Sequence, residues 1–344
     1  IMKTTVTTST GEYPVITGHG ILKDFADLTQ ICREGTKAAV VTDDNVAPLW
    51  LDRLLSVLPE GTLRYVIPHG EKSKNWTLAG ELLEKLAADG FCRDDTLVAL
   101  GGGVVGDITG FVASVYMRGV PYVQVPTTLL AAIDSSVGGK TAVDLKAGKN
   151  LAGRIYPPKA VVCDLDTLAT LPRSEWKCGL GEAVKYALLA GGEIFDIMER
   201  GAGAENLERL IDLCVDYKRR IVEADENEGG LRRLLNLGHT VGHAIEAESA
   251  LGFPHGVCVA MGIKVIARAS VSAGYLPKDE YLRISALLQK YGFPECPYPL
   301  RSVIMHAAHD KKISGGKINA VVIRGIGRCE TVPMTLDELK EFVS

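Results

Sequence analysis

At 344 residues the chain is too long for one ordinary core and fits about two domains of the usual 100–200 residues. Its 38 Lys+Arg against 42 Asp+Glu leave a net charge of −4, so neither nucleic acid nor an anionic membrane is expected as a partner. A hydrophobic share of 47% beside 23% charged residues excludes a disordered chain, and the longest apolar run, residues 96–117, is cut by Asp107 and by glycines and predicts no membrane span.

In chain order, residues 37–42 (KAAVVT) predict a strand, 47–58 a helix and 63–67 a second strand. Residues 77–89 space Leu78, Leu82, Leu83, Leu86 and Ala87 along one helical face. Residues 95–100 (DTLVAL) predict a third strand that runs into three glycines; 106–117 form the helix after it, and 122–125 and 160–164 two further strands. Continuous apolar strands alternating with helices predict a parallel sheet covered on both faces. After about residue 170 the texture changes to helical spacing over 175–190, 205–228, 232–250, 255–273 and 278–291. One strand-like run, 320–324, and a final helix from Leu336 complete the chain. The N-terminal IMKTT has no basic stretch ahead of an apolar segment, so no secretion signal is expected. Eight cysteines without a C-x-x-C pair read as reduced thiols of a cytoplasmic protein, not as a disulfide framework or a zinc–thiolate site. The 37 glycines, above the usual ~7%, cluster instead of repeating, which predicts close backbone approaches to a ligand.

GGGVVGD (101–107) follows a predicted strand and opens a helix. Glycines there let the backbone approach a pyrophosphate, and the helix N-terminus offers free N–H groups and the positive end of the dipole. The run is not G-x-G-x-x-G, so alone it supports dinucleotide binding and a plain packing turn about equally. Residues 126–140 (PTTLLAAIDSSVGGK) then bring hydroxyls, Asp134, two glycines and Lys140 to a strand's C-terminal edge, where α/β proteins bind ligands, but without Walker A spacing. Lys146, Lys149 and Asn150 follow closely. In LNLGHTVGH (235–243), His239 and His243 stand four apart with Asn236 three before the first, all on one face if the segment is a single helix. Two imidazoles at that spacing suit zinc, yet Thr240 occupies the place of the glutamate in H-E-x-x-H. His255 opens a later helix, and Glu182 and Lys185 lie three apart on an otherwise apolar one. Each alone reads most simply as a satisfied buried polar group. Together, one carboxylate and three histidines in a mostly apolar helical half point to a divalent metal, and the carboxylate-rich loops that calcium needs are missing. The residues therefore suggest an NAD-linked, metal-assisted reaction on an anionic, polyhydroxylated molecule.

These stretches resemble the 3-dehydroquinate synthase family. The resemblance rests on GGGVVGD (101–107), YMRG (116–119), VPTTLLAAIDSSVGGKTAVD (125–144), KN (149–150), GLGEAVKYAL (179–188), LLNLGHTVGHAIE (234–246), PHGVCVAMG (254–262) and HDKK (309–312). It implies a Rossmann-like α/β NAD-binding domain over residues 1–170 and a mostly α-helical metal- and substrate-binding domain over 171–344, with the active site in the cleft. NAD contacts are then implied at Asp43, Asn45, Glu71, Lys74, Gly103, Val104, Val105, Gly106, Asp107, Thr127, Thr128, Lys140, Lys149, Thr167, Leu168, Ala169 and Thr170. The implied ligands for Zn2+ or Co2+ are Glu182, His239 and His255, which leaves His243 to face the substrate and replaces the pairing of His239 with His243. Substrate contacts are implied at Asp134, Lys140, Asn150, Lys185, Lys218, Arg232, Asn236, His243 and one of Lys311 and Lys312, with Lys312 preferred. Arg118 would reach into the partner subunit's site of a homodimer.

The implied reaction converts 3-deoxy-D-arabino-heptulosonate 7-phosphate to 3-dehydroquinate and phosphate. It proceeds by transient oxidation with NAD, phosphate elimination, reduction, ring opening and intramolecular aldol closure, a step sequence of the shikimate pathway. A substrate with both carboxylate and phosphate accounts for the cations Lys140, Lys185, Lys218, Arg232 and Lys312. Three alternatives make different demands. A glycerol dehydrogenase-like polyol dehydrogenase would release NADH and need no phosphate cluster. Other sugar-phosphate cyclases act on substrates without the carboxylate, against which Lys218, Arg232 and Asn236 argue. A non-catalytic NAD-sensing protein predicts eroded metal ligands or lysines, and none is visible in the sequence.

Overall fold

The computed structural model of the chain describes residues 1–344 except Ile31, Arg33, Glu34, Leu251, Asp310, Lys311, Lys312 and Gly315, with backbone only for residues 307–309, 313 and 314. It divides into two compact units, one of Ile1–Leu171 with Lys218–Glu223 and one of Pro172–Tyr217 with Ala224–Ser344.

The first unit is built on a seven-stranded sheet. Its strands are β1 (Met2–Thr8), β2 (Gly11–Gly18), β3 (Ala38–Asp43), β4 (Leu63–Ile67), β5 (Thr96–Gly101), β6 (Tyr122–Pro126) and, after the separate hairpin β7 (Lys140–Leu145) and β8 (Gly148–Ile155), β9 (Ala160–Asp164). The order is β1-β2-β9-β6-β5-β3-β4, with every pair parallel except β1–β2. Strands β5, β6 and β9 are buried along their whole length, which is why they read as mostly apolar runs, with Thr96, Gln124 and Asp164 as buried polar exceptions. The edge strand β1 instead alternates exposed threonines with partly buried positions, a pattern that blunts an open edge. That hairpin was not expected from the sequence, because MKTTVTT has too little apolar content to announce a strand.

Helices α1 (Phe25–Thr29) and α2 (Asp52–Leu55) cover one face of the sheet. There Leu22, Phe25, Leu54 and Trp50 pack on Val40, Val98, Val123 and Val162. Helices α3 (Trp76–Ala88) and α4 (Gly103–Val115) cover the other, where Leu82, Leu86, Ile108 and Phe111 pack on Ala39, Val41, Leu97 and Ala99. Each such fully buried aliphatic side chain contributes about 1.5–3 kcal/mol, so this patterning fixes the sheet. Chain order reverses between β3 and β5: β4 lies outward of β3, while β5, β6 and β9 follow on its other side. A parallel sheet presents its ligand crevice at the carboxyl ends of the strands beside such a reversal.

The second unit is mostly helical: α5 (Arg173–Ala190), α6 (Gly192–Arg200), α7 (Ala204–Ala224), α8 (His239–Glu248), α9 (His255–Ser272), α10 (Lys278–Lys290), α11 (Leu300–Val303) and α12 (Leu336–Phe342). Lys218–Glu223 of α7 group with the first unit. A three-stranded antiparallel sheet of β10 (Ile313–Ser314), β11 (Lys317–Gly325) and β12 (Arg328–Met334) replaces the single strand expected near 320–324. By length and composition α9 could cross a membrane, but 72% of its apolar window is buried inside the fold.

The helix expected over 232–250 is broken. Leu231–Asn236 is a 3-10 turn, Gly238 has φ 76°, and only then does α8 begin. The cause is tertiary: a Cβ at Gly238 would stand 2.6 Å from the Val259 carbonyl of α9, so the chain passes where only glycine fits. Asn236 is therefore not on the helix that carries His239 and His243. Helices α5 and α9 meet still more closely, since a Cβ at Gly256 would lie 1.9 Å from the Cys178 carbonyl oxygen and one at Gly181 2.0 Å from that of Gly256.

Candidate active site

In the first unit, the residues singled out for a dinucleotide follow the carboxyl ends of the parallel strands. Asp43 closes β3, and its carboxylate accepts from the backbone N–H groups of Asn45 and Val46, both at 2.9 Å. Glu71 and Lys74 follow β4, the glycine turn follows β5, Thr127 and Thr128 follow β6, and residues 167–170 follow β9. The loop after β9 is tied by Thr167 Oγ1 donating to Asp164 O at 2.7 Å, and by Trp50 Nε1 donating to Thr170 Oγ1 at 3.0 Å. Leu168 is buried among them.

At the turn, α4 starts at Gly103 with no side-chain cap, so its first N–H groups stay available. A Cβ at Gly102 would lie 2.9 Å from Thr128 Cγ2, and one at Gly103 3.1 Å from Ser135 Oγ. The hydroxyls of Thr127 and Ser135 are buried with no hydrogen-bond partner. A backbone cradle beside two orphaned hydroxyls is what a bound polar ligand would complete.

Below the turn lies a knot of charge. Lys74, 5% exposed, stands 3.2 Å from both Glu71 and Asp107, and Lys149 stands 3.3 Å from Glu71. Burial alone would lower the Lys74 ammonium, but Asp107 and Glu71 outweigh it and hold its pKa above the ordinary value. The π-helical turn Ala131–Ser135 presents Asp134, whose carbonyl oxygen accepts from Lys218 Nζ at 2.6 Å and whose carboxylate pairs with the same ammonium. Lys140 opens β7, exposed, and Asn150 takes a left-handed backbone (φ 52°) while its N–H donates to Asp144 at 2.8 Å. Met117 (φ 47°) and Arg118 (φ 66°) are consecutive left-handed residues, both exposed.

In the second unit, α5, α8 and α9 bring one carboxylate and three imidazoles together. Glu182, 2% exposed, splits its two oxygens: Oε2 faces Lys185 Nζ at 2.7 Å, and Oε1 faces His255 Nε2 at 3.1 Å and His239 Nε2 at 3.3 Å. His243 completes a triangle of rings 5.2–5.5 Å apart. One nitrogen from each histidine lies within 4.8 Å of the others. Burial opposes ionisation of Glu182, yet Lys185 and then His239 hold its carboxyl well below the usual range. Burial pushes His239 down to about 4. His255 is also desolvated, but the Glu182 and Glu246 carboxylates outweigh this and hold it up at about 9.

Charges this deep cost several kcal/mol each to desolvate and add little stability, so a structural role does not account for them. Two buried carboxylates, Glu182 and Glu246, flank the imidazole of His255, so a divalent cation would take the place of the charge that His255 carries in the metal-free protein. The donor set of nitrogen and carboxylate oxygen fits zinc or cobalt.

Arg232, 1% exposed, donates from Nη1 to Glu226 O at 2.5 Å, and Asn236 Nδ2 donates to Glu228 Oε1 at 2.7 Å. Lys311 and Lys312 lie outside the described residues. Sequence reasoning passed over Glu228, for which no spacing signal exists. It also passed over Glu246, which stands seven residues after His239 and three after His243, a spacing that shares a helical face.

A parallel-sheet unit with a glycine turn at its crevice and a helical unit with a Glu/His cluster define a sugar-phosphate cyclase type of enzyme. The family descriptions 3-dehydroquinate synthase N-terminal and C-terminal match residues 64–178 and 179–313. The chain belongs to the 3-dehydroquinate synthase family. It is 45% identical to 3-dehydroquinate synthase of Acidithiobacillus ferrooxidans, over 92% of this chain and 90% of that one. Among solved structures, 2-deoxy-scyllo-inosose synthase complexed with carbaglucose-6-phosphate, NAD+ and Co2+ superposes with TM-score 0.89, at 25% identity over 99% of both chains. The 2-epi-5-epi-valiolone synthase of Streptomyces hygroscopicus, with NAD+ and Zn2+ bound, gives TM-score 0.86 at 27% identity, over 96% of this chain and 95% of that one.

Proposed function

We propose that this chain converts 3-deoxy-D-arabino-heptulosonate 7-phosphate to 3-dehydroquinate and phosphate, using NAD and a divalent metal ion, as a cytoplasmic homodimer. The observation that carries the reading is the buried Glu182 carboxylate, whose Oε1 faces the Nε2 atoms of both His239 and His255. When bound, NAD supplies a hydride acceptor that later returns the hydride, and the metal supplies a Lewis acid for the substrate alcohol.

Glu182, His239 and His255 would hold the metal. Glu182 Oε1 lies within 3.3 Å of the Nε2 atoms of both His239 and His255, which favours this mixed set over a three-histidine set with His243. Lys185 keeps Glu182 ionised and its Oε2 engaged, which turns Oε1 toward the imidazoles. The N–H groups of the 103–105 turn would receive the NAD pyrophosphate, and the Thr127 and Ser135 hydroxyls gain the partners that they lack. Asp43, Asn45, Glu71, Lys74, Asp107, Thr128, Lys149 and residues 167–170 would contact the remainder of the cofactor. Lys140, Lys185, Lys218 and Arg232 supply cations for the substrate's carboxylate and phosphate, and Asn150, Asn236 and His243 would orient its hydroxyls. Asp134 fixes the Lys218 ammonium in place through both its carbonyl and its carboxylate.

The test is release of inorganic phosphate from the heptulosonate phosphate, with and without NAD and chelator. Phosphate should accumulate with no net NADH absorbance. Stoichiometric NADH would instead indicate a polyol dehydrogenase.

A further inference from the structure

A neutral imidazole offers one lone pair, and the partner of its other nitrogen decides which atom carries it. His239 and His255 both direct Nε2 at Glu182. Their Nδ1 atoms meet different partners. His239 Nδ1 lies 3.1 Å from the Leu237 carbonyl oxygen, which can only accept, so a proton on Nδ1 is satisfied there and Nε2 would be left for the metal. His255 Nδ1 faces a carboxylate, Glu246 Oε2, at 3.6 Å. That is an ion-pair distance, slightly long for a hydrogen bond.

Glu246 is 6% exposed, on α8 one turn beyond His243, so the helix that carries two of the histidines also reaches across to the third. His255 stands at the first position of α9, after Pro254, and gains no support from an earlier turn of its own helix. We propose that Glu246 is a positioning residue for the metal site: its carboxylate holds the His255 proton on Nδ1 and sets the ring so that Nε2 is presented to the metal. The proposal rests on the reading of Glu182, His239 and His255 as ligands. A carboxylate behind a ligating imidazole fixes its tautomer and raises its basicity, and losing one costs about 10–100-fold in metal affinity.

The experiment titrates the metal-free protein with Co2+ against a chromophoric chelator, for wild type, Glu246→Gln, Glu246→Ala and His255→Ala. In parallel, 15N-edited NMR of the Zn2+-loaded protein reads the Nδ1–H signal of His255. Co2+ affinity should fall in the order wild type, Gln, Ala, because the amide oxygen still accepts from Nδ1 but without charge. The wild-type ring should show a protected Nδ1–H, and Glu246→Ala should shift that signal and speed its exchange with water. Glu246→Gln, nearly identical in shape, carries the affinity test by itself if Glu246→Ala does not fold. Unchanged affinity in folded Glu246 variants, or weakened affinity with an unchanged Nδ1–H signal, overturns the proposal. Unchanged affinity in His255→Ala overturns the ligand assignment instead, and so separates the two failures.

Discussion

At the scale of single residues, the metal assignment divides four neighbouring side chains into two kinds. Glu182→Ala, His239→Ala and His255→Ala should each lose bound metal and activity, whereas His243→Ala should keep the metal and impair turnover. Metal content by atomic absorption checks this, and full retention in His255→Ala rejects the assignment. A second residue prediction concerns Asp225, whose carboxylate accepts from the backbone N–H groups of Gly229, Gly230 and Arg232 at 2.8, 2.7 and 2.9 Å. Burial opposes its ionisation, but these three bonds outweigh that and leave its pKa below the ordinary value. A carboxyl lowered in the folded state stabilises fully above its unfolded value, near pH 4, and that contribution is lost as pH falls through the folded value. Asp225→Asn should therefore cost about 0.5–2 kcal/mol at neutral pH, comparable to a lost capping side chain. The gap to wild type should narrow on acidification below about pH 4, as urea unfolding across pH would show.

Between elements, two helical glycines should respond to alanine with opposite signs. Gly256 is the second residue of α9, where α5 passes within contact of its backbone, and no flexible side chain is there to yield. Gly256→Ala should cost at least about 1–3 kcal/mol, the range for overpacking, and should weaken metal binding because it displaces His255 from Glu182. Gly80 lies within α3, and an added Cβ there would meet nothing within 4 Å, so Gly80→Ala should stabilise by about 0.5–1 kcal/mol. Thermal and urea unfolding of the two variants measure both. Equal signs would show that the approach of α5 to α9 does not set the cost.

For the whole molecule, the homodimer proposal has its sharpest test at Arg118. Two consecutive left-handed residues, Met117 and Arg118, cost of order 1–3 kcal/mol each, a strain associated with functional positions. If Arg118 serves the partner subunit's substrate, Arg118→Ala removes a charge-assisted contact of about 1.5–3 kcal/mol, or about 10–150-fold in kcat/KM. Mixing Arg118→Ala subunits with Lys140→Ala subunits then restores part of the activity, because both lesions fall in one site and the other stays intact. No recovery in demonstrated mixed dimers rejects the shared site.

Local pattern alone determined much of this architecture. β3, β5, β6 and β9 are legible because most of their buried residues are apolar, and α3, α5, α9 and α10 because their apolar positions keep helical spacing. The residue types of the site were also legible, since histidines, a carboxylate and lysines stand out in apolar surroundings. Only the tertiary structure decided the rest. Strand β1 and the β7–β8 hairpin are largely polar or half-exposed, and these strands exist through pairing instead of apolar content. The break at Gly238 is imposed by the carbonyl of Val259, twenty-one residues on, which no local window contains. Likewise, sequence shows that Glu246 shares a face with His239 and His243, but its approach to His255 Nδ1 depends on how α8 meets α9. Periodicity carries information over a few turns, whereas the partner of a buried charge is chosen by packing across the whole fold.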